Sequence, residues 1–229
     1  MSLQQELTER ENAHFQPIRD PSKLIEIGKR WARSFRDTCL RRLAPFQWRA
    51  LLRQEVIHLD LGAGPNRGSG QWTTVDMGGA DIYWDLRKGI PLPDDCVDKI
   101  YTSHVLEHIP FDSLIPFLAE CKRVLKPDGE FSVCVPNFRF YVDGYISGRD
   151  FLDRELWWKP ARVDTGSRLD QVNYIAYMGG HHKYMFDEEN LINTLKTAGF
   201  KHVRLRDFDG SIDLQQRDFE SIYATASPV

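Results

Sequence analysis

A strand that runs into a glycine turn sets the strongest limit on the fold of this chain. Residues 57–64 read Ile-His-Leu-Asp-Leu-Gly-Ala-Gly, an apolar run that ends in two glycines. Glycine lets the backbone approach a ligand at the carboxyl end of a strand, which is where open α/β sheets bind nucleotides. The pattern predicts a first strand at residues 56–61, followed by a ligand-binding turn.

Short apolar runs alternate with helical periodicity over the rest of the chain. This alternation predicts a Rossmann-like α/β fold with a seven-stranded, mainly parallel sheet and helices on both faces. Further strands are predicted at 72–76, 81–85, 97–102, 131–135, 203–208 and 222–225, and helices at 112–126 and 188–198. The last two strands fit a hairpin at the edge of the sheet. Residues 137–185 lack clear periodicity, which predicts a lid insert forming the substrate pocket.

The N-terminal part of the chain differs from the rest in charge. Residues 1–54 hold eleven Lys and Arg against six Asp and Glu, whereas residues 55–229 hold nineteen against twenty-seven. The basic positions alternate with aromatic and leucine residues, as in amphipathic helices that pack on a larger body. We therefore expect a helical cap at 1–54 and a main domain at 55–229. The basic face is either solvated or a surface for an anionic partner, and the first is the commoner case.

Composition places the chain among ordinary globular proteins, with 41% hydrophobic and 28% charged residues. No apolar run approaches the roughly 20 residues of a membrane span, and the first residues are polar and acidic. We therefore expect a cytoplasmic protein with no membrane span. The four cysteines lack C-x-x-C spacing and are expected to be reduced core thiols.

The glycine turn by itself also fits a dinucleotide site. The NAD fingerprint requires a third glycine and an acid about 20 residues further on. Here position 67 is Arg, and Asp76 follows Gly62 by only fourteen residues. An NAD-dependent oxidoreductase is thus a disfavoured alternative.

The motifs after the turn are more specific. Asp76 ends the second predicted strand, Asp85 ends the third, and Ser-His-Val-Leu-Glu-His follows the fourth at 103–108. Together with Leu-Lys-Pro-Asp-Gly at 125–129, this succession resembles the class I S-adenosylmethionine-dependent methyltransferases over residues 56–136. It is most similar to a subgroup that acts on small molecules or in polysaccharide pathways.

The resemblance implies a set of cofactor contacts, with S-adenosylmethionine as cofactor and S-adenosylhomocysteine as product. Asp60 would bind the amino group of the cofactor and Asp76 its ribose hydroxyls, because a carboxylate makes strong charge-assisted bonds to a cis-diol. The other implied contacts are Gly62, Ala63 and Gly64 along the methionine moiety, Asp85 and the backbone of Leu86 by the adenine, and Ser103 and His104 at the methionine side.

Histidines are the candidate general bases, since methyl transfer to a hydroxyl needs a proton acceptor. They are His104, His108 and His182. The loop 179–184 adds His181 and Tyr184 as candidate substrate contacts, together with His182. A zinc signature would require Glu directly after the first histidine, whereas Glu107 precedes the second, so no metal is predicted.

The expected reaction is O-methylation of a sugar or a similar small-molecule hydroxyl compound. A net charge of −3 and the lack of a nucleic-acid methylation motif argue against a nucleic-acid substrate. The sequence indicates no oligomeric state. The alternative from another class is a catalytically inactive protein of the same fold that acts as a scaffold.

Overall fold

The structure is a computed structural model that describes residues 21–64, 70–149 and 165–229. Within these ranges it has five α-helices, seven strands and four 3-10 turns. The helices are α1 Pro21–Leu51, α2 Phe111–Val124, α3 Phe138–Ser147, α4 Leu169–Tyr177 and α5 Glu188–Thr197. The strands are β1 His58–Leu61, β2 Trp72–Asp76, β3 Ile82–Tyr83, β4 Val97–Ser103, β5 Leu125–Pro136, β6 Lys201–Arg206 and β7 Ser221–Ser227. The 3-10 turns are Leu86–Lys88, Leu106–His108, Met178–Gly180 and Gln215–Glu220.

The strands form one sheet in the order β3-β2-β1-β4-β5-β7-β6. Strands β1 to β5 pair in parallel, and β7 runs antiparallel to both β5 and β6. The predicted seven-stranded, mainly parallel fold is confirmed, as is the hairpin of the last two strands. Because β1, β2 and β4 are parallel neighbours, the residues that follow them meet at one edge of the sheet.

One face of the sheet carries the hydrophobic core. Alternate strand residues such as Leu59, Val75, Ile100 and Val133 are buried there. They form a single cluster with apolar side chains of α2, of α5 and of the last turns of α1. Each Å2 of buried apolar surface contributes roughly 25 cal/mol to stability, so this cluster is the main source of stability of the fold.

The opposite face is polar. Asp213 accepts two hydrogen bonds from the Arg206 guanidinium, at 2.6 and 2.8 Å, and a third from the Tyr101 hydroxyl at 2.8 Å. Helices were expected on both faces of the sheet. In the described residues, the loop 207–214 packs on this polar part of the sheet. The Asp213 carboxylate needs these hydrogen-bond donors, because a buried carboxylate without donors would be strongly unfavourable.

No helix was predicted in the segment 137–185, but its described parts contain α3 and α4. The role of this insert as a lid remains a prediction. The side chain of Asn137 caps α3 by accepting a hydrogen bond from the Arg139 amide at 3.0 Å. Tyr141 of α3 and Ile175 of α4 are buried together in a small second cluster. Two turns of helix are too short to show a clear period. The insert also holds Trp157, Trp158, Lys159 and Arg162, which the sequence offers as contacts to a sugar or aromatic acceptor, and these four lie outside the described residues.

Residues 43–229 form one compact unit, and residues 21–42 of α1 belong to another. The helical cap at 1–54 remains a prediction. Among the described residues, no helix combines the length and apolar character that a membrane span requires. Cys121 and Cys134 are buried free thiols as expected, but Cys39 is exposed because it lies on the polar side of α1.

Candidate active site

The turn after β1 brings the backbone close to the residue that follows β4. Gly62 has φ +80° and Gly64 has φ +66°, a region that side chains rarely adopt. A Cβ on Gly62 would lie 2.3 Å from Cγ2 of Val105, so the contact requires glycine. A Cβ on Gly64 would meet none of the described residues within 4 Å. The turn therefore packs tightly on one side and leaves open space on the other.

Two carboxylates stand beside this turn. Oδ2 of Asp76, at the end of β2, accepts a hydrogen bond from the Gly64 amide at 3.2 Å. Asp60 lies near the end of β1, where burial, with a contribution from the Asp76 carboxylate, raises its pKa to about 6. Two acids held together in this way favour a cationic ligand, because a nearby positive charge would offset both burial and repulsion.

Asp85 differs from these two acids because it already has a partner. It caps the 3-10 turn Leu86–Lys88 by accepting from the Arg87 amide, and it forms an ion pair with the Arg87 guanidinium at 2.8 Å. The hydrogen bond from Arg87 is the largest of the effects that lower the Asp85 pKa. Its carboxylate is thereby fixed at the edge of the cavity described next.

A cavity of about 610 Å3 opens at this edge of the sheet, and we call it the large cavity. Its volume falls within the roughly 300–1,000 Å3 typical of cofactor and ligand sites. Five of the predicted cofactor contacts line it. They are Gly62, Asp76, Asp85, Leu86 and His104. The remaining lining residues are Met77, Trp84, Arg87, Gly89, Val105, His108, Ile109, Asp112, Ser113, Pro116, Phe117 and Glu120.

His104 lies at the inner end of the large cavity in a strained conformation, with φ +53°. Its Nε2 is 3.1 Å from Oγ of Ser221, whose hydroxyl donates to the Arg217 carbonyl at 2.7 Å. Ser221 can therefore only accept here, so Nε2 carries the proton and Nδ1 holds a lone pair. Burial lowers the His104 pKa to about 3, which keeps the ring neutral.

A second cavity of about 180 Å3 adjoins the first, and we call it the small cavity. His104 and His108 line both cavities. The other residues around the small cavity are Glu107, Pro136, Tyr141, Tyr174, Ile175, Met178, His182, Arg217 and Glu220. The hydroxyl of Tyr174 is buried without a hydrogen-bond partner among the described residues. This cavity therefore offers polar groups that a bound molecule can satisfy.

Glu107 lies between His104 and His108, the two histidines that line both cavities, and its side chain is almost fully buried. Its Oε1 is 3.6 Å from Nδ1 of His104 and 3.8 Å from Nε2 of His108. Burial raises the Glu107 pKa to about 8. The carbonyl of Glu107 accepts from the amides of Lys183 and Tyr184, which ties the turn after β4 to the loop 181–184.

The structure places the other predicted site residues outside the two cavities. Asp60, Ala63, Gly64 and Ser103 sit at the strand ends beside the large cavity but are not among its lining residues. His181 is exposed and contributes its carbonyl, which accepts from His108 Nδ1 at 3.2 Å. The hydroxyl of Tyr184 accepts from Asn190, and its ring packs between Phe111 and Phe186.

Several site residues were not found from the sequence. Trp84 packs edge-on against Trp48 and also lines the large cavity. Tyr141, Arg217 and Glu220 reach the small cavity from α3 and from the 3-10 turn before β7. No clear hydrophobic period in the sequence marked α3, so Tyr141 was not predicted.

Comparison with known proteins agrees with this geometry. Residues 80–133 match a family model described as a methyltransferase domain. The matched segment runs from β3 into β5 and includes Asp85 and His104, which line the large cavity, and Glu107, which lines the small cavity. This segment is therefore similar to methyltransferase domains.

Two curated relatives overlap the domain. A ubiquinone/menaquinone biosynthesis C-methyltransferase of Acidiphilium cryptum is 29% identical over 127 residues, which are 55% of this chain and 47% of that protein. A probable S-adenosylmethionine-dependent methyltransferase of Mycolicibacterium smegmatis is 44% identical over 57 residues, 23% of this chain and 21% of that protein. The chain thus spans about half the length of the first relative and a fifth of the second.

Among solved structures, an S-adenosylmethionine-dependent methyltransferase of Archaeoglobus fulgidus resembles the chain with a TM-score of 0.46 and 17% identity. The alignment covers 91% of this chain and all of that one. The relative from Mycolicibacterium smegmatis and the structure from Archaeoglobus fulgidus are both named as S-adenosylmethionine-dependent methyltransferases.

Proposed function

We propose that this protein transfers a methyl group from S-adenosylmethionine to a small-molecule acceptor. The observation that carries the proposal is the pair Asp60 and Asp76 beside a glycine turn that opens on a cavity of about 610 Å3. The cofactor carries an ammonium group and a sulfonium, and the two carboxylates suit such a ligand. When bound, it supplies an electrophilic methyl group.

The residues around the large cavity fit the parts of the cofactor. Asp76 offers a carboxylate to a ribose diol, and its position is fixed by the Gly64 amide. Asp60 would hold the ammonium group. Asp85 and the backbone of Leu86 would lie by the adenine, with Trp84 and Ile109 as apolar walls. The open space above Gly64 leaves room for the methionine moiety.

The small cavity is the proposed acceptor site. It joins the large cavity at His104 and His108, so an acceptor there would lie next to the methyl donor. Its volume of about 180 Å3 is below that of a typical complete ligand site, so it would hold the reacting end of the acceptor. The polar groups of Tyr174, Arg217 and Glu220 favour an acceptor with several hydroxyls, such as a sugar.

His104 is the proposed hydrogen-bond acceptor that orients an acceptor hydroxyl, since its lowered pKa keeps the ring neutral. It lines both cavities, and its Nδ1 lone pair lies on the side of Glu107, 3.6 Å from Oε1. The Ser221 contact fixes the ring so that this lone pair is available. Positioning of the two reactants would supply much of the rate, since methyl transfer is an in-line displacement.

The test is transfer of a labelled methyl group. The protein is incubated with methyl-labelled S-adenosylmethionine and fractionated small-molecule extracts, and products are identified by mass spectrometry. We expect labelled small molecules with wild type, and none with Asp76→Asn. His104→Gln should lose transfer. Cofactor binding without transfer to any fraction would instead favour the scaffold role.

A further inference from the structure

We propose that Glu107, His108 and His182 form a binding site for one divalent transition-metal ion. The three residues come from two distant parts of the chain, the 3-10 turn after β4 and the loop after α4. One ligand atom of each lies within 4.8 Å of the other two. Glu107 Oε1 and His108 Nε2 are 3.8 Å apart. Zinc–ligand bonds near 2.0–2.1 Å place neighbouring ligand atoms about 3.3 Å apart, so small shifts would close the site.

The two imidazoles are oriented as metal ligands usually are. His108 Nδ1 faces the carbonyl of His181 at 3.2 Å, and His182 Nδ1 faces the carbonyl of Ile175 at 2.5 Å. A carbonyl can only accept, so each Nδ1 carries the proton and each Nε2 holds a lone pair. Ligating histidines commonly donate their other N–H to a backbone carbonyl, which fixes tautomer and ring orientation. The rings meet edge to face, 4.9 Å between centroids.

Glu107 supplies the second independent observation. Its side chain is 1% exposed, and neither carboxylate oxygen has a hydrogen-bond partner within the described ranges. Buried carboxylates are nearly always paired or bound to a metal. Here the neighbours on the cluster side are imidazole lone pairs, which cannot donate. A divalent cation bound by all three groups would satisfy the Glu107 carboxylate and both imidazole lone pairs at once.

The chemistry of the ligands selects the kind of metal. Two imidazole nitrogens and one carboxylate suit zinc, iron(II) or manganese(II), and they do not suit calcium or magnesium, which prefer oxygen ligands alone. Three protein ligands leave coordination positions free. The sequence did not predict this site because His182 is far from His108 along the chain, so no H-E-x-x-H spacing exists.

The position of this metal site indicates a role for the ion in the reaction. This part of the inference rests on the proposed function. His108 lines both cavities, and Glu107 and His182 line the small one. The free positions would therefore lie toward the acceptor site. A metal there would bind an acceptor hydroxyl and favour its deprotonated form. Acceptors with two neighbouring oxygens, able to chelate the ion, are the substrate class that this arrangement favours.

The first experiment measures metal binding by itself. The metal-free full-length protein is titrated with cobalt(II), followed by visible absorption, and with zinc in equilibrium dialysis. We expect one ion per chain for wild type. Glu107→Gln and His108→Ala should weaken binding by at least about 100-fold, since loss of a ligand exceeds the 10- to 100-fold effect of losing an outer partner. His108 is partly exposed, so its replacement leaves the fold intact.

The matched control is His202→Asn, which removes an exposed histidine at φ +46°, a conformation that Asn tolerates. It should bind the metal like wild type. Absence of stoichiometric binding by wild type, or equal binding by Glu107→Gln, would overturn the proposal. S-adenosylhomocysteine titration separates this result from the proposed function. Glu107→Gln should lose the metal and keep the cofactor product, and Asp76→Asn should do the reverse.

Discussion

The backbone amide of Gly64 donates a hydrogen bond to Oδ2 of Asp76, 3.2 Å long. This bond joins the turn after β1 to the acid that ends β2. A carboxylate at the end of a strand is thereby oriented by the glycine turn of its neighbour. The proposed ribose-binding acid and the proposed methionine-binding turn are therefore one structural unit.

Gly62→Ala should destabilise the protein by about 2–4 kcal/mol. The added Cβ would lie 2.3 Å from Val105 in a backbone conformation that already disfavours alanine. Gly70→Ala is the matched control, because Gly70 has φ +60° but nothing within 4 Å of an added Cβ. It should cost only about 1–2 kcal/mol. Urea denaturation measures both, and equal effects would contradict the close contact.

Asp60→Asn should stabilise the free protein at neutral pH. The folded-state pKa of Asp60 is raised to about 6 from 3.8, so the fold binds its proton more tightly than the unfolded chain does. Stability from this group is therefore lost as the pH rises from about 4 to 6. The advantage of the Asn variant should grow by about 2 kcal/mol between pH 4.5 and 7.5. Denaturation curves at both pH values give the difference, and a pH-independent difference would show that Asp60 titrates normally.

The affinity for S-adenosylhomocysteine should rise with pH in wild type. Its ammonium group would bind the ionised form of Asp60, and that form is the minority below the raised pKa of about 6. We expect about 10-fold tighter binding at pH 7.5 than at pH 5. Asp60→Asn should bind more weakly at pH 7.5, with little change between the two pH values. A wild-type affinity that is flat over this range would remove Asp60 from the ammonium site.

Asp213→Ala should destabilise the protein by about 3–5 kcal/mol, because it leaves the mostly buried Arg206 guanidinium without its carboxylate. The matched control is Glu130→Ala, which breaks an exposed ion pair with Lys99 on the same face of the sheet. Its effect should stay below about 1 kcal/mol. Thermal unfolding compares the two, and a similar small effect for both would show that the buried pair is dispensable.

Local signals predicted much of the fold. Strand β2 and the start of α5 match the expected residues. For α5 the reason is a strong local pattern, an Asp187 cap followed by two acids. The predicted ends of strands β3 and β5 were less accurate, because pairing with the neighbouring strands determines where a strand begins and ends. Helices α3 and α4 were missed because their short apolar faces pack on each other.

The candidate site likewise contains residues that the sequence could predict and residues that it could not. Gly62 and Asp76 follow strands directly, so the sequence could place them at the cavity. The approach of His182 to Glu107 depends on how the loop after α4 folds back onto the turn after β4. No spacing in the sequence encodes that contact.

The most direct test of the central claim is calorimetric titration of S-adenosylhomocysteine into wild type, Asp76→Asn and the exposed control Asp128→Asn. We expect one site per chain in wild type and in the control. Binding to Asp76→Asn should be about 30- to 140-fold weaker, which corresponds to roughly 2 to 3 kcal/mol for lost charge-assisted bonds. Absence of binding to wild type, or an affinity of Asp76→Asn equal to that of wild type, would contradict the account.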